Sequence, residues 1–271
     1  MSERVAVIAA TWRCGKNCMY CDYNFSGNFA GGTLRAFGKV LDIGAELNAD
    51  QWLELLQKWG ITRVEITGGE PTLRPDFADV LERLGGEWSI TTNLTGDVMP
   101  WARIADKCVG FEASLHEWTN KGSFKHKLEL LRGLGLPVSV TVVLSRKRMD
   151  TSESLVKWAR KNRFRTVGHP EYGPGDDWSD AEIRQAKRLA AWAHVVVPLW
   201  EWPKPRQLEC KAGETYMAFH PDGSKAICYA QLVGLNDCEC PFPCDHKYAR
   251  VRTEDGCALS ADVGEDGSWN E

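Results

Sequence analysis

The 271-residue chain has no apolar run of the roughly 18 to 20 residues that a membrane-spanning helix needs. Its early hydrophobic stretch, Val5 to Ala10, is also too short for a secretory h-region. No membrane partner is expected, and the cytoplasm is the default compartment. Positive charge is not in excess: 33 Lys and Arg stand against 37 Asp and Glu, a formal net charge of −4. Without a basic stripe, nucleic acid is a poor candidate partner. Internal repeats and low-complexity tracts are missing, which argues against solenoids and disordered arrays. Without a recognisable signal h-region, the ten cysteines are not expected to sit in an oxidising compartment, which argues against a disulfide framework. Metal ligation is then the better reading of clustered cysteines than a disulfide framework.

What is present is ordinary in bulk and unusual in detail. Apolar residues make up 43% and charged residues 26%, as in a globular protein. The length suits one large domain, or one domain plus a small one. Twelve tryptophans are many, and several fall at helical spacing, where a core role is the simplest. Near the N-terminus the stretch CGKNCMYCD places Cys14, Cys18 and Cys21 in a C-x3-C-x2-C pattern. A structural zinc site takes four ligands in a closed tetrahedron. Three thiolates suit a [4Fe-4S] cluster with one iron left open for a substrate or cosubstrate. The plainer alternative is half of a zinc knuckle.

Hydrophobic periodicity organises the rest. Val5 to Ala10 reads as a strand feeding the cysteine loop. Asp22 to Glu46 is Gly-rich with little periodicity. Asn48 with Gln51 forms a capping-box pattern, and Trp52, Leu55, Leu56 and Trp59 follow helical spacing. Strands are predicted over Arg63–Thr67, Trp88–Thr92, Cys108–Leu115, Val138–Leu144 and Arg165–Glu171, with helices over Phe77–Leu84, Phe124–Leu134 and Thr151–Asn162. Ser179 with Glu182 opens another helix, carried by Ile183, Ala186, Leu189, Ala190 and Ala193. Six strands alternating with helices argue for parallel βαβ units.

The cysteine motif, with Tyr20 before Cys21, resembles the cluster loop of radical S-adenosylmethionine (SAM) enzymes. Downstream, ITGGEPTLRP carries Gly68, Gly69 and Glu70, which resembles that family's GGE motif. The resemblance runs from Val5 to about Tyr172. It implies an α/β fold, a partial (β/α)6 TIM-type barrel, with the chemistry at the C-terminal strand ends. It implies that Cys14, Cys18 and Cys21 bind three irons of a [4Fe-4S] cluster and that the open iron chelates SAM. One electron then splits a C–S bond and yields a 5'-deoxyadenosyl radical that abstracts hydrogen from a substrate. By the same resemblance Glu70 supplies charge at the methionine ammonium, Tyr20 lies near the adenine, and the strand-end residues Asn93 and Ser114 contact SAM. A surface or capping role competes for these strand-end groups. Glu171 and Tyr172 follow the sixth strand and are placed to face substrate. The scattered histidines receive no role.

From Cys210 the composition changes to short strands, Gly and cysteines. Tyr216–His220 and Ala226–Tyr229 flank PDG and read as a hairpin. This part resembles the twitch or SPASM extension of radical SAM enzymes, which carries auxiliary [4Fe-4S] clusters. The full C-x2-C-x5-C-x3-C run is absent and CECPFPC stands instead. One auxiliary cluster is therefore expected, on Cys210, Cys228 and Cys244, with Cys240 or Cys238 as the fourth ligand; a zinc ribbon is the plainer alternative. The expected division is 1–197 for the partial barrel and 198–271 for a small Cys-rich hairpin extension. The function expected is oxidation of a substrate with help from the auxiliary cluster. An epimerase or peptide-modifying (RiPP) enzyme with a Cys hydrogen donor (Cys238, Cys257 or Cys108) is the alternative, and a non-catalytic metal module the alternative from another class. Expected partners are a small-molecule or peptide substrate and a low-potential electron donor such as flavodoxin or ferredoxin. A first strand near residue 5 tilts the expectation toward a small substrate or a separately supplied recognition partner.

Overall fold

The computed structural model describes residues 3–16, 18, 33–36, 39–42, 45–170, 179–189, 193–195, 215–226, 252–253 and 256–257. In chain order the strands are β1 (Val5–Thr11), β2 (Thr33–Ala36), β3 (Lys39–Asp42), β4 (Arg63–Gly68), β5 (Glu87–Thr92), β6 (Cys108–Ser114), β7 (Val138–Leu144), β8 (Arg165–Pro170), β9 (His194–Val195), β10 (Tyr216–Phe219), β11 (Lys225–Ala226), β12 (Arg252–Thr253) and β13 (Gly256–Cys257). The helices are α1 (Ala49–Trp59), α2 (Asp76–Leu84), α3 (Met99–Ala102), α4 (Lys121–Gly133), α5 (Met149–Lys161) and α6 (Asp180–Arg188). One nine-stranded sheet runs β11-β10-β1-β4-β5-β6-β7-β8-β9. Every neighbouring pair is parallel except β10 with β11. The six predicted strands are its six consecutive central members. The sheet is open: β9 and β11 are its edges, so the barrel is not closed.

Local chemistry explains the helix ends. The Asn48 side chain accepts from Gln51 N at 3.0 Å, and the Gln51 side chain accepts from Asn48 N at 3.0 Å. That reciprocal box satisfies two orphan donors at the start of α1. Gly60, at φ +62°, ends α1 in the left-handed conformation. Ser179 and Glu182 form the second box, at α6. Pleating sends Ala6, Ile8, Val64, Ile66, Trp88, Phe111, Val140 and Val142 to the helix side, where they pack with Trp52, Phe77, Leu128 and Val156 in one core. The opposite face carries Glu65, Thr91, Glu112, Ser114 and Thr141.

The structure departs from the sequence reading in three places. α6 is described to Arg188, residues 190–192 lie outside the described residues, and Ala193 N donates to Leu189 O at 2.9 Å; just past the expected helix, His194–Val195 pairs with Val167–Gly168 as a strand the sequence reading did not include, as β-branched valine favours. Within Asp22–Glu46, β2 and β3 pair antiparallel; two four-residue strands are too short to register as a period. Tyr216–Phe219 does form a hairpin with Lys225–Ala226, and it also extends the main sheet beside β1. The cysteines expected to bracket that hairpin lie outside the described residues. No described helix is long and apolar enough to cross a membrane.

Candidate active site at the strand ends

The two motifs meet backbone to backbone. Gly69 N donates to Thr11 O and Glu70 N to Arg13 O, both at 2.8 Å. A Cβ on Gly68 would stand 2.4 Å from Thr11 O; on Gly69 it would stand 2.4 Å from Arg13 O and 2.6 Å from Trp12 O. Gly68 also has φ +115°. The glycine pair thus lets β4 run against the base of the cysteine loop. Below this contact Arg74, 5% exposed, spends all five of its donors. Two go to Asp76 at 2.9 and 2.8 Å, and the others to Ala10 O at 3.1 Å, Glu46 at 3.3 Å and Leu47 O at 2.9 Å. Glu46 also pairs with Arg13 at 2.5 Å and accepts from the Thr11 hydroxyl. The loop's first turn is therefore fixed to β1, to the lead into α1, and to the chain after the GGE motif.

Glu70 is completely buried. Its Oε1 accepts from Thr72 N at 2.9 Å, from the Thr72 hydroxyl, and from the Thr92 hydroxyl at 2.5 Å. Its Oε2 accepts from Asn93 N at 2.7 Å. Burial pushes this carboxyl above its ordinary range, and the Thr72, Thr92 and Asn93 donors oppose the rise. In the structure its oxygens face protein donors and clamp the end of β5 to the turn after β4. Asn93 continues the chain of contacts. Its Oδ1 accepts from Thr95 N at 3.0 Å, and its Nδ2 donates to Cys14 Sγ at 3.6 Å. Lys127 secures the same loop from below, donating to Leu94 O at 2.7 Å and Gly96 O at 2.8 Å.

Cys14 is buried, and burial pushes its thiol up to about 11, with Glu70 and Cys18 adding to the rise and N–H donors from Lys16 and Asn93 opposing it. Cys18 is part-exposed nearby. Tyr20 and Cys21 lie outside the described residues, and so do Glu171, Tyr172, Cys210, Cys228, Cys238, Cys240 and Cys244. Among the described residues no three His, Cys, Asp or Glu side chains form a group that could hold a metal ion. Lys16, in the cysteine loop, sits 4.6 Å above the Trp118 ring, which stacks on His116 at 4.7 Å and 16°. Burial pushes His116 down to about 4. Ser114 ends β6 and stands beside Thr141 of β7, whose buried hydroxyl has no hydrogen-bond partner among the described residues. Glu112 accepts from Thr91 at 3.4 Å and is raised by burial. Cys108 begins β6, six residues and roughly 20 Å from Ser114. Burial pushes its thiol up to about 12.

The structure thus brings Cys14, Gly68, Gly69, Glu70 and Asn93 together in one contiguous set. Sequence reasoning missed Arg74, Glu46, Lys127, Thr141 and the Lys16–Trp118–His116 stack. Arg74 stands in the quoted ITGGEPTLRP stretch. Glu46 gives no local signal, because its partners are 28 to 35 residues away in sequence. The donor set at Cys14 suits a thiolate ligand: a buried sulfur facing two N–H groups is stabilised once it carries charge.

A parallel sheet ending in a cysteine loop locked to a Gly-Gly-Glu turn defines the class. The Radical SAM superfamily matches residues 10–185, and the chain belongs to it. Membership implies a [4Fe-4S] cluster and SAM. The PqqA peptide cyclase of Streptomyces rochei is 28% identical over 212 residues, 70% of this chain and 55% of that protein. The GTP 3',8-cyclase of Listeria monocytogenes is 37% identical over 91 residues, 32% of this chain and 25% of that one. The chain therefore spans about half or less of these relatives. Among solved structures, SuiB of Streptococcus suis bound to S-adenosylmethionine superposes with TM-score 0.59 at 17% identity, covering 87% of this chain and 62% of that one. The anSMEcpe structure with bound AdoMet and Cp18Cys peptide gives 0.57 at 14%, covering 83% and 73%. At these identities the structural likeness speaks for the fold.

Proposed function

We propose that this protein is a peptide-modifying radical SAM enzyme that abstracts hydrogen from its substrate and oxidises it. The observation that carries the reading is the junction of the cysteine loop with the GGE turn, where Cys14 sits within reach of Asn93 and above the Glu70 clamp. Cys14, Cys18 and Cys21 would hold the cluster. When bound, cluster and SAM supply a one-electron cleavage that delivers a 5'-deoxyadenosyl radical. The chain's own residues fix where that happens. Gly68 and Gly69 allow the two loops to touch; Arg74 and Glu46 hold the turn that presents Cys14. Ser114 and Thr141 offer neighbouring hydroxyls on the open face of the sheet. A peptide is favoured over a small molecule because PqqA peptide cyclase, a SuiB structure bound to precursor peptide SuiA, and a peptide-bound anSMEcpe structure are among the similar proteins.

An auxiliary [4Fe-4S] cluster on Cys210, Cys228, Cys244 and either Cys240 or Cys238 belongs to this proposal as the electron acceptor for the substrate radical. Flavodoxin or ferredoxin is the proposed electron donor, and the 198–271 extension and cytoplasmic location are proposed with it. The placement of Cys108 at the far end of β6 speaks against it as the hydrogen donor of an epimerase.

The test is anaerobic reconstitution, reduction with dithionite and assay for 5'-deoxyadenosine from SAM. The triple Cys14→Ala, Cys18→Ala, Cys21→Ala protein is expected to lose this product and about four irons, since the ligands are thiolates. It is also expected to keep iron–sulfur absorbance from the C-terminal cysteines. Product formation persisting in the triple variant sinks the reading; tightly bound zinc without iron favours the metal module.

A further inference from the structure

We infer that Asn93 is a positioning residue for the sulfur of Cys14, giving it a side-chain N–H hydrogen bond that raises the reduction potential of the cluster there; the inference rests on Cys14 being a cluster ligand. The geometry fixes which end of the amide faces the sulfur. Asn93 Oδ1 is taken by Thr95 N at 3.0 Å, so the amide nitrogen is the end left to point at Cys14 Sγ, 3.6 Å away. The backbone of Asn93 is held independently, since its N–H donates to the fully buried Glu70 carboxylate at 2.7 Å. Leu94, next in the chain, sits at φ +60°, a conformation costly for leucine, and its carbonyl is held by Lys127. Three separate contacts thus keep one side chain in one orientation.

The consequence is a relay from the GGE turn to the cysteine loop: Glu70 grips Asn93, and Asn93 reaches Cys14. This gives Glu70 a part in the site that needs no direct contact with SAM. A hydrogen bond to a ligating sulfur draws negative charge off it. The reduced cluster carries one more electron, so it gains more from that bond than the oxidised cluster does. Removing the donor is expected to shift the potential negative.

The experiment compares full-length wild type with Asn93→Asp and Asn93→Ala, each reconstituted anaerobically with iron and sulfide. Asn93→Asp keeps the oxygen that binds Thr95 and removes the N–H, so it separates loss of the donor from loss of the loop. Midpoint potentials are read by EPR-monitored titration, using the signal that changes when SAM is added. Pulsed EPR after exchange into D2O reads the exchangeable proton at the cluster sulfur. Both variants are expected to titrate at more negative potential than wild type, Asn93→Asp the lower of the two, and to lose one exchangeable coupling. Unmoved potential and coupling in a cluster-loaded Asn93→Asp protein overturn the inference and leave the proposed function intact. Absence of an iron–sulfur spectrum in the wild type overturns the proposed function and this inference with it.

Discussion

At the scale of single residues, the glycine pair was legible as a motif but its physical reason was not. Glycine lets a backbone approach another group closely. The structure shows that Gly68 and Gly69 make room for another stretch of this same chain, the carbonyls of Thr11, Trp12 and Arg13. A Cβ at Gly69 meets three backbone atoms within 2.8 Å, and backbone cannot swing aside as a side-chain tip can. Gly69→Ala is therefore expected to cost roughly 1–3 kcal/mol, the usual range for overpacking, and to displace the loop that carries Cys14. Urea unfolding and iron content after reconstitution check it together. Gly133→Ala is the control, because nothing lies within 4 Å of a Cβ there and Gly133 closes α4. That change is expected to be neutral or to stabilise by up to about 1 kcal/mol. Equal midpoints for the two variants contradict the account. Glu70 teaches the same lesson: its type and position were readable, whereas its four protein donors come from Thr72, Thr92 and Asn93 and only folding brings the last two near.

At the scale of elements, the period of the sequence carried most of the fold. All six central strands and the principal helices stand where apolar spacing and capping boxes placed them, because those signals are local. What periodicity does not encode is how loops from different units pack at the mouth of the sheet. The clearest case is the stack of Lys16 on Trp118 and Trp118 on His116, which joins the cysteine loop to the β6–α4 connection. The same connection is tied to the β7–α5 segment by the Glu117–Arg148 ion pair. His116 is held neutral: burial drives it from the ordinary 6.5 down to about 4, with Glu117 opposing weakly. For a base whose folded value is depressed, the contribution to stability is full above about pH 6.5 and is lost as pH falls toward about 4. The wild-type denaturation midpoint is expected to fall across that window. His116→Asn removes the titrating ring and is expected to flatten that part of the profile, at some cost in stability at pH 7 from the lost stack. Parallel profiles for the two proteins, measured by urea unfolding at closely spaced pH values, remove His116 as the cause.

At the scale of the whole molecule, sequence order and spatial order part company. The composition changes from Cys210, and the expected division lay between 197 and 198. Yet Tyr216–Phe219 returns to lie parallel to β1, with Val5 opposite Tyr216 and Ile8 opposite Phe219. Val5 N also donates to Thr215 O at 2.8 Å, and Leu47 N to Pro221 O at 2.8 Å. Lys225 caps the Trp59 ring at 4.4 Å, and His220 meets the edge of Trp12 in the cysteine loop at 6.0 Å. Non-local parallel pairing of this kind leaves no periodic trace, because a four-residue strand has no partner until nearly the whole chain is in place. It makes residues 215–226 part of the core that supports the site: Met217 and Phe219 are 1% and 0% exposed and belong to the same apolar cluster as Ile8, Ile66 and Phe77. Phe219→Ala is expected to cost about 3–5 kcal/mol, as for other large buried aromatics. The informative measurement is where that cost appears. If β10 is one cooperative unit with the sheet, hydrogen exchange by mass spectrometry will quicken together in β1, β4, β5 and β6. Faster exchange confined to 215–226 means that the returning strand is a separate unit docked on a sheet that stands without it, and the cysteine loop then does not depend on the C-terminal half for its shape.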